Sequence, residues 1–167
     1  MQKKVLTEQA LYYGDVTMPK DWEIDRVYLS NKILYSDLKN EKFKTCKTWD
    51  KLNRYIQEHI NLYYETALVN TDTWGNIYKP LENTASLLDV DPVDLKNSPD
   101  FTLLYGINTV DCSIKILYDD NRRKGRSWIV PLKNSAFVMF PSTNMYSIIN
   151  KQKDSLNFIQ TITYEYI

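Results

Sequence analysis

Beyond Trp74 the chain is cut into short apolar runs, each too short to make a stable helix and each bounded by turn residues. "FTLLYGI", "CSIKILY", "RSWIVPL", "NSAFVMF", "MYSII" and "LNFIQTITYEYI" follow one another, with "DDNRRKG" as a hairpin loop between the second and third. Short strands recurring about every 8–12 residues suit a sandwich or a barrel, because one sheet of this size cannot cover its own apolar face. "WGNIY" is a further short strand, and the polar, Pro- and Asp-punctuated stretch "KPLENTASLLDVDPVDLKNSPD" reads as a loop. In the last strand Ile162, Tyr164 and Tyr166 alternate with Thr161, Thr163 and Glu165, which predicts that the second set faces solvent or a partner.

The first seventy residues follow another rule. "TWDKLNRYIQEHINLYYETAL" (48–68) carries Trp49, Leu52, Ile56, His59 or Ile60 and Tyr63 at three-to-four spacing, the mark of an amphipathic helix. Thr48 is the expected N-cap and Asp50 suits the first turn. "EIDRVYLSNKILYSDL" predicts a second helix with Leu29, Ile33 and Leu34 inward, and "ALYYGDVTM" an edge strand ended by Pro19. The 167 residues therefore predict a single domain of mainly β class with N-terminal helices (α+β). Residues 1–70 form a helical elaboration and 74–167 the β core.

Charge and cysteine content remove several function classes. Twenty-one basic and 21 acidic residues balance, so nothing calls for nucleic acid or a membrane surface. No run approaches the ~18 apolar residues of a membrane span, and the N-terminus lacks the apolar core of a signal peptide. The expectation is a soluble product made inside a cell. Cys46 and Cys112 stand far apart without CxxC spacing, which predicts free thiols in a reducing compartment. Thirteen Tyr among many Lys, Asn and Ile suggest an AT-rich genome and a surface able to make contacts.

The one histidine in the chain constrains the chemistry most. A single His cannot supply a two-His-one-carboxylate iron site. His59 also lies on the apolar stripe of its helix, where a packed imidazole with one hydrogen bond is the simpler reading. Asp89, Asp91 and Asp94 in "DVDPVD" could hold a cation, but Asp beside Pro more commonly turns or caps the chain. Arg122, Arg123, Lys124 and Arg126 crowd one hairpin tip, which predicts either a solvated turn balanced by Asp119 and Asp120 or a contact for an acidic partner.

The block from Trp74 onward resembles the phage and bacterial branch of the 2-oxoglutarate/Fe(II)-dependent dioxygenase family. "TWGNIY", "FTLLYG", "CSIKILYDD", "VPLKNSAFVMFPSTNMYSI" and "LNFIQTITYEY" stand in the family order, with Phe140-Pro141-Ser142 the most specific piece. The resemblance implies a double-stranded β-helix, or jelly roll, over roughly the last ninety residues. It also implies a first metal-binding His with its acidic or His partner, a distal metal-binding His, and an arginine for the co-substrate carboxylate. At those positions this chain offers Glu82, Thr84 and Ser86 in the loop, Tyr146 for the distal histidine, and Leu156 or Asn157 for the arginine. A degenerate member is implied, without catalytic residues, metal or cofactor. The tail vocabulary is further similar to conserved proteins of T4-like marine phages (cyanophages), which carry no activity to transfer.

The expectation is therefore a non-catalytic jelly-roll module that binds other phage structural proteins or further copies of itself, in the virion or the host cytoplasm. Two alternatives stand beside it: a divergent oxygenase, and a small-ligand or glycan binder using the old pocket lined by Tyr146, Tyr105 and Trp128.

Overall fold

The computed structural model describes residues 1–6, 8–63, 67–119 and 125–167. Chain order is β1 (Tyr12–Asp15), α1 (Arg26–Leu38), α2 (Lys47–Tyr63), β2 (Leu68–Tyr78), β3 (Phe101–Asn108), β4 (Cys112–Asp119), β5 (Gly125–Pro131), β6 (Ala136–Pro141), β7 (Tyr146–Asn150) and β8 (Asn157–Tyr166). The strands form a five-stranded sheet, β1-β6-β3-β8-β2, and a three-stranded sheet, β5-β4-β7, antiparallel throughout. Residues 82–87 run beside β7 and bridge it at Asn83–Ile149 and Leu87–Tyr146, a partial fourth strand of the smaller sheet. From β2 onward the chain winds between the sheets: large, small (82–87), large, small, small, large, small, large.

Both α-helices form within the stretches their sequence predicts, and their burial shows why. However, α2 closes at Tyr63, and Leu68, expected at the end of that helix, instead opens β2 because it pairs with β8. Asp25 caps α1 by accepting the Tyr28 N–H at 3.0 Å. On α2 the stripe Trp49, Leu52, Ile56 and Ile60 is fully buried against the outer face of the large sheet. Each such side chain contributes about 1.5–3 kcal/mol, so this stripe, rather than helix propensity, holds α2 in place. The start of α2 differs from expectation. The helix opens at Lys47, Cys46 stands at the cap position with its Sγ accepting the Trp49 N–H at 3.4 Å, and Thr45 Oγ1 donates to Asp50. Thr48 lies inside the first turn.

The helices approach the sheet closely. A Cβ placed on Gly75 of β2 would stand 2.5 Å from Ile33 of α1, so only glycine lets the two elements meet there. Central strands β3, β6 and β8 thus have helices on one side and the small sheet on the other, and they read as continuous apolar runs. This overturns the expectation for the last strand. Thr161 and Thr163 are buried, because β8 lies between β3 and β2 and its second face turns into the sandwich. The strand "WGNIY" is likewise only the end of the eleven-residue β2, whose first half is too polar to betray a strand.

Two cores result. One joins the helices to the outer face of the large sheet and includes Leu29, Trp49, Tyr105, Phe137 and Tyr164. The other fills the space between the sheets with Leu104, Ile114, Ile116, Val138, Phe140, Tyr146 and Ile148. Among the described residues no helix is long and apolar enough to cross a membrane.

Candidate functional site

One end of the sandwich collects the polar groups. Tyr146 opens β7, directly after the Pro141–Met145 turn, and its backbone exchanges hydrogen bonds with Leu87 at 2.7 and 3.1 Å. That pairing carries the chain two residues on to Asp89, whose Oδ2 accepts the Tyr146 phenol at 2.9 Å and the Thr102 hydroxyl at 3.2 Å. Thr102 and Ser142 hydroxyls lie 2.9 Å apart behind it. The Tyr146 ring tilts against Phe140, 5.1 Å between centroids. Burial raises the Asp89 pKa above the ordinary carboxylate value, and the hydrogen bonds from Tyr146 and Thr102 only partly offset it. Burial, with the neighbouring Asp89 charge, pushes the Tyr146 and Tyr78 phenols well above their usual range, so both are neutral donors at physiological pH.

The arrangement is a closed hydrogen-bond chain, phenol to carboxylate and threonine to carboxylate, at the mouth of an apolar interior. The sequence offers Asp89 as a cation ligand or a turn residue, and its part as the acceptor for Tyr146 and Thr102 emerges only from the structure. A signal was there: a buried tyrosine needs an acceptor for its hydroxyl, and "LLD" ends the segment that could reach it.

Strand pairing also corrects the positions assigned to the resemblance. Leu87, not Glu82, Thr84 or Ser86, stands beside Tyr146. Glu82 instead accepts the Lys79 N–H, and Thr84 accepts the Ile148 N–H. Leu156 packs against the outer core, while Asn157 bonds Val110 and Asn150 at the far end of β8. Near the mouth, the inward residues of β8 are Thr161 and Thr163, paired with Leu104 and Thr102.

An Fe(II)/2-oxoglutarate pair does not fit these residues. Leu87 has no donor atom, the Tyr146 phenol is spent on Asp89, and the inward face of β8 near the mouth has hydroxyls where a carboxylate would need a cation. Among the described residues no three His, Cys, Asp or Glu side chains come together as a metal site.

The other predicted residues scatter. Tyr105 projects from β3 into the outer core, beside Arg26 and Ser135, and so does not share a pocket with Tyr146. Trp128 sits on the edge strand β5, 56% exposed. Arg122, Arg123 and Lys124 lie outside the described residues, and Arg126 is the second residue of β5. Asp91 and Asp94 make local turns: Asp91 Oδ1 accepts the Val93 N–H at 2.9 Å and Asp94 accepts the Asn97 amide. They do not join Asp89. His59 is half-buried on α2, with Nδ1 accepting the Thr17 N–H at 3.4 Å and its ring edge-on to Phe137; burial lowers its pKa.

A cleft of about 290 Å³ opens beside the mouth. Its walls are Leu11 and Tyr13 from the N-terminal stretch, Ile116 and Tyr118 of β4, Trp128 of β5 and Phe140 of β6. β1 and β5 are edge strands of opposite sheets, so the cleft is the open seam of the sandwich on that side.

No protein-family model and no curated protein sequence matches the chain. Solved structures match its fold. The prolyl-4-hydroxylase of Pseudomonas putida aligns with a TM-score of 0.63 at 12% identity, covering 95% of this chain and 94% of that one. The double-stranded β-helix is thereby assigned. A viral collagen prolyl hydroxylase from Paramecium bursaria Chlorella virus-1 gives 0.62 at 14% identity, over 94% and 96% of the two chains. SnoN, an α-ketoglutarate-dependent epimerase of nogalamycin biosynthesis, gives 0.65 at 11%, over 95% and 78%. At such identities the likeness is one of fold, and a double-stranded β-helix hosts more than one chemistry.

Proposed function

We propose that this chain is a non-catalytic double-stranded β-helix that binds other proteins, as a structural or assembly protein of a phage. The observation that supports it is the Tyr146–Asp89 hydrogen bond, with Leu87 beside it: the carboxylate at the mouth is satisfied within the chain, in a setting that favours packing over ligation. The phage context rests on the resemblance of the C-terminal sequence.

Thermal unfolding with and without Fe(II), or Mn(II) in its place, and 2-oxoglutarate tests the non-catalytic half. A binding-competent site filled to a hundred times its Kd adds about 2.7 kcal/mol, or roughly 5–10 °C in a chain of this size. No shift is expected, and a rise of that order requiring both additions refutes the proposal. Mass spectrometry of purified particles tests the other half; absence from virions and assembly intermediates removes the structural role.

A second reading is a divergent oxygenase or small-ligand binder. What favours it is the half-buried Asp89 carboxylate at the mouth, next to an apolar cleft. The same melting experiment separates the oxygenase from the first reading, and melting curves with a panel of sugars and other small ligands separate the binder.

A further inference from the structure

The two helices meet solvent differently. α2 leaves Lys51, Arg54 and Glu58 exposed, the last two paired at 3.8 Å. α1 buries Leu29, Ser30 and Ile33, yet Val27, Tyr28, Tyr35 and Leu38 also stand between 41% and 74% exposed. At about 100° per residue, Val27, Asn31, Tyr35 and Leu38 fall in one outward stripe about 80° wide, with Tyr28 along its edge. Lys32 and Lys39 lie over the Tyr28 and Tyr35 rings, 5.5 and 4.2 Å from their centroids, while Asp37 sits on the other flank of the helix. The outer side of a surface helix is ordinarily polar, so an apolar stripe there is a surface that a partner covers.

This face carries both halves of a contact. Ahead of the helix lies an open hollow of about 590 Å³, lined among others by Met18, Trp22, Ile24 and Val27, with Glu23 and Asp25 beside them. Met18, Trp22 and Ile24 are partly buried members of the outer core, so the hollow has an apolar floor and an acidic rim. At the far end of the helix stand the exposed Leu38 and, next to it, Lys39. Leu38 and Ile24 are each seven residues from Asn31, and Lys39 and Glu23 are each eight. Turned about a two-fold axis at Asn31, Leu38 of each copy meets the hollow of the other. Lys39, about 12 Å along the helix from Asn31, then comes level with the other copy's Glu23 and Asp25. Val27 meets Tyr35, small against large. Asn31 meets itself, which its amide allows because it both donates and accepts, and a polar residue at such a place fixes the register.

We propose that two copies of this chain pair through α1, antiparallel about Asn31, each seating its Leu38 in the other's Ile24 hollow and its Lys39 against Glu23 and Asp25. A near-antiparallel crossing of about 20° keeps both ends in reach. The two-fold operation uses the same patch twice and closes the assembly at two chains. The inference does not depend on whether the barrel is catalytic.

Sedimentation velocity of the full chain over a hundredfold concentration range is the test. Wild type is expected to dimerise, and Leu38→Asp to raise the dimer Kd by at least about tenfold, because a charge replaces a leucine that enters an apolar hollow beside two carboxylates. Leu38 is exposed in the single chain, so this variant folds. Lys39→Glu is expected to weaken the dimer, and adding Glu23→Lys to the same chain to restore it, since the swapped charges still face each other. Val93→Asp, at a fully exposed loop position, leaves the dimer intact. A chain that stays monomeric throughout, a dimer indifferent to Leu38→Asp, a charge swap that fails to restore it, or a dimer lost on Val93→Asp each overturns the α1 pairing.

Discussion

Replacing Tyr146 by Phe removes one oxygen and keeps the ring that packs on Phe140, so it isolates the Asp89 hydrogen bond. With the phenol gone, Asp89 keeps the Thr102 hydroxyl at 3.2 Å. Hydrogen bonds to charged groups contribute about 1.5–3 kcal/mol. Asp89 is only half-buried, so water replaces part of the loss, and about 1–2 kcal/mol is the realistic cost. At roughly 2–4 °C per kcal/mol for a chain of this size, Tm falls by about 2–8 °C.

The pH dependence is the sharper part. Burial raises the Asp89 pKa above 3.8 in the folded chain, so the folded state holds this proton more tightly than the unfolded state does. Stability from this group therefore falls as pH rises from 3.8 through the folded value, and the penalty is complete above it. The Tyr146 phenol pulls the folded value down. Its removal lets that value climb, widening the window and deepening the penalty at neutral pH. The deficit of Tyr146→Phe should thus be largest near pH 7.5 and shrink towards pH 4, read by urea unfolding at each pH. In an Asp89→Asn background the same change should cost only a neutral hydrogen bond, about 0.5–1.5 kcal/mol, at every pH. A cost equal at pH 4.5 and 7.5 in the chain carrying Asp89, or no coupling between the two sites, refutes the reasoning.

Two further outcomes follow from packing. Gly106→Ala would place a Cβ 2.2 Å from the Lys133 carbonyl oxygen, backbone that cannot swing aside; a loss of about 1–3 kcal/mol or more in thermal unfolding is expected, and a wild-type Tm would disprove the close approach. Cys112 is buried, and burial with the nearby Asp111 pushes its thiol up to about 12, whereas Cys46 is half-buried. Thiol titration should find one reactive cysteine in the native chain and two in guanidinium; two fast thiols in the native state would contradict this burial.

How much of this was legible in the sequence depends on where each signal is stored. The strands after Phe101 were legible because turn residues bracket each apolar run, and α2 because Trp49, Leu52, Ile56 and Ile60 repeat at helical spacing. The first half of β2 was not, since "LVNTDT" is polar on an edge strand, where pairing with β8 rather than burial makes the strand. Thr161 and Thr163 misled for the opposite reason: alternation predicts one wet face only when the strand has one, and β8 has none. The mouth was hardest to read, because it is assembled from residues 57 apart, Asp89 and Tyr146, brought together by a two-residue bridge at Leu87. Bridges of that kind leave no period in the sequence. What the sequence did hold was a demand: a tyrosine between two apolar strands, with a hydroxyl that must find an acceptor. Read as a demand rather than a substitution, Tyr146 calls for a carboxylate or carbonyl nearby, and the Asp that ends "LLD" meets it. The Tyr146–Asp89 donor–acceptor pair ties the local chemistry to the proposed role, because a mouth latched by its own side chains is free to be a surface.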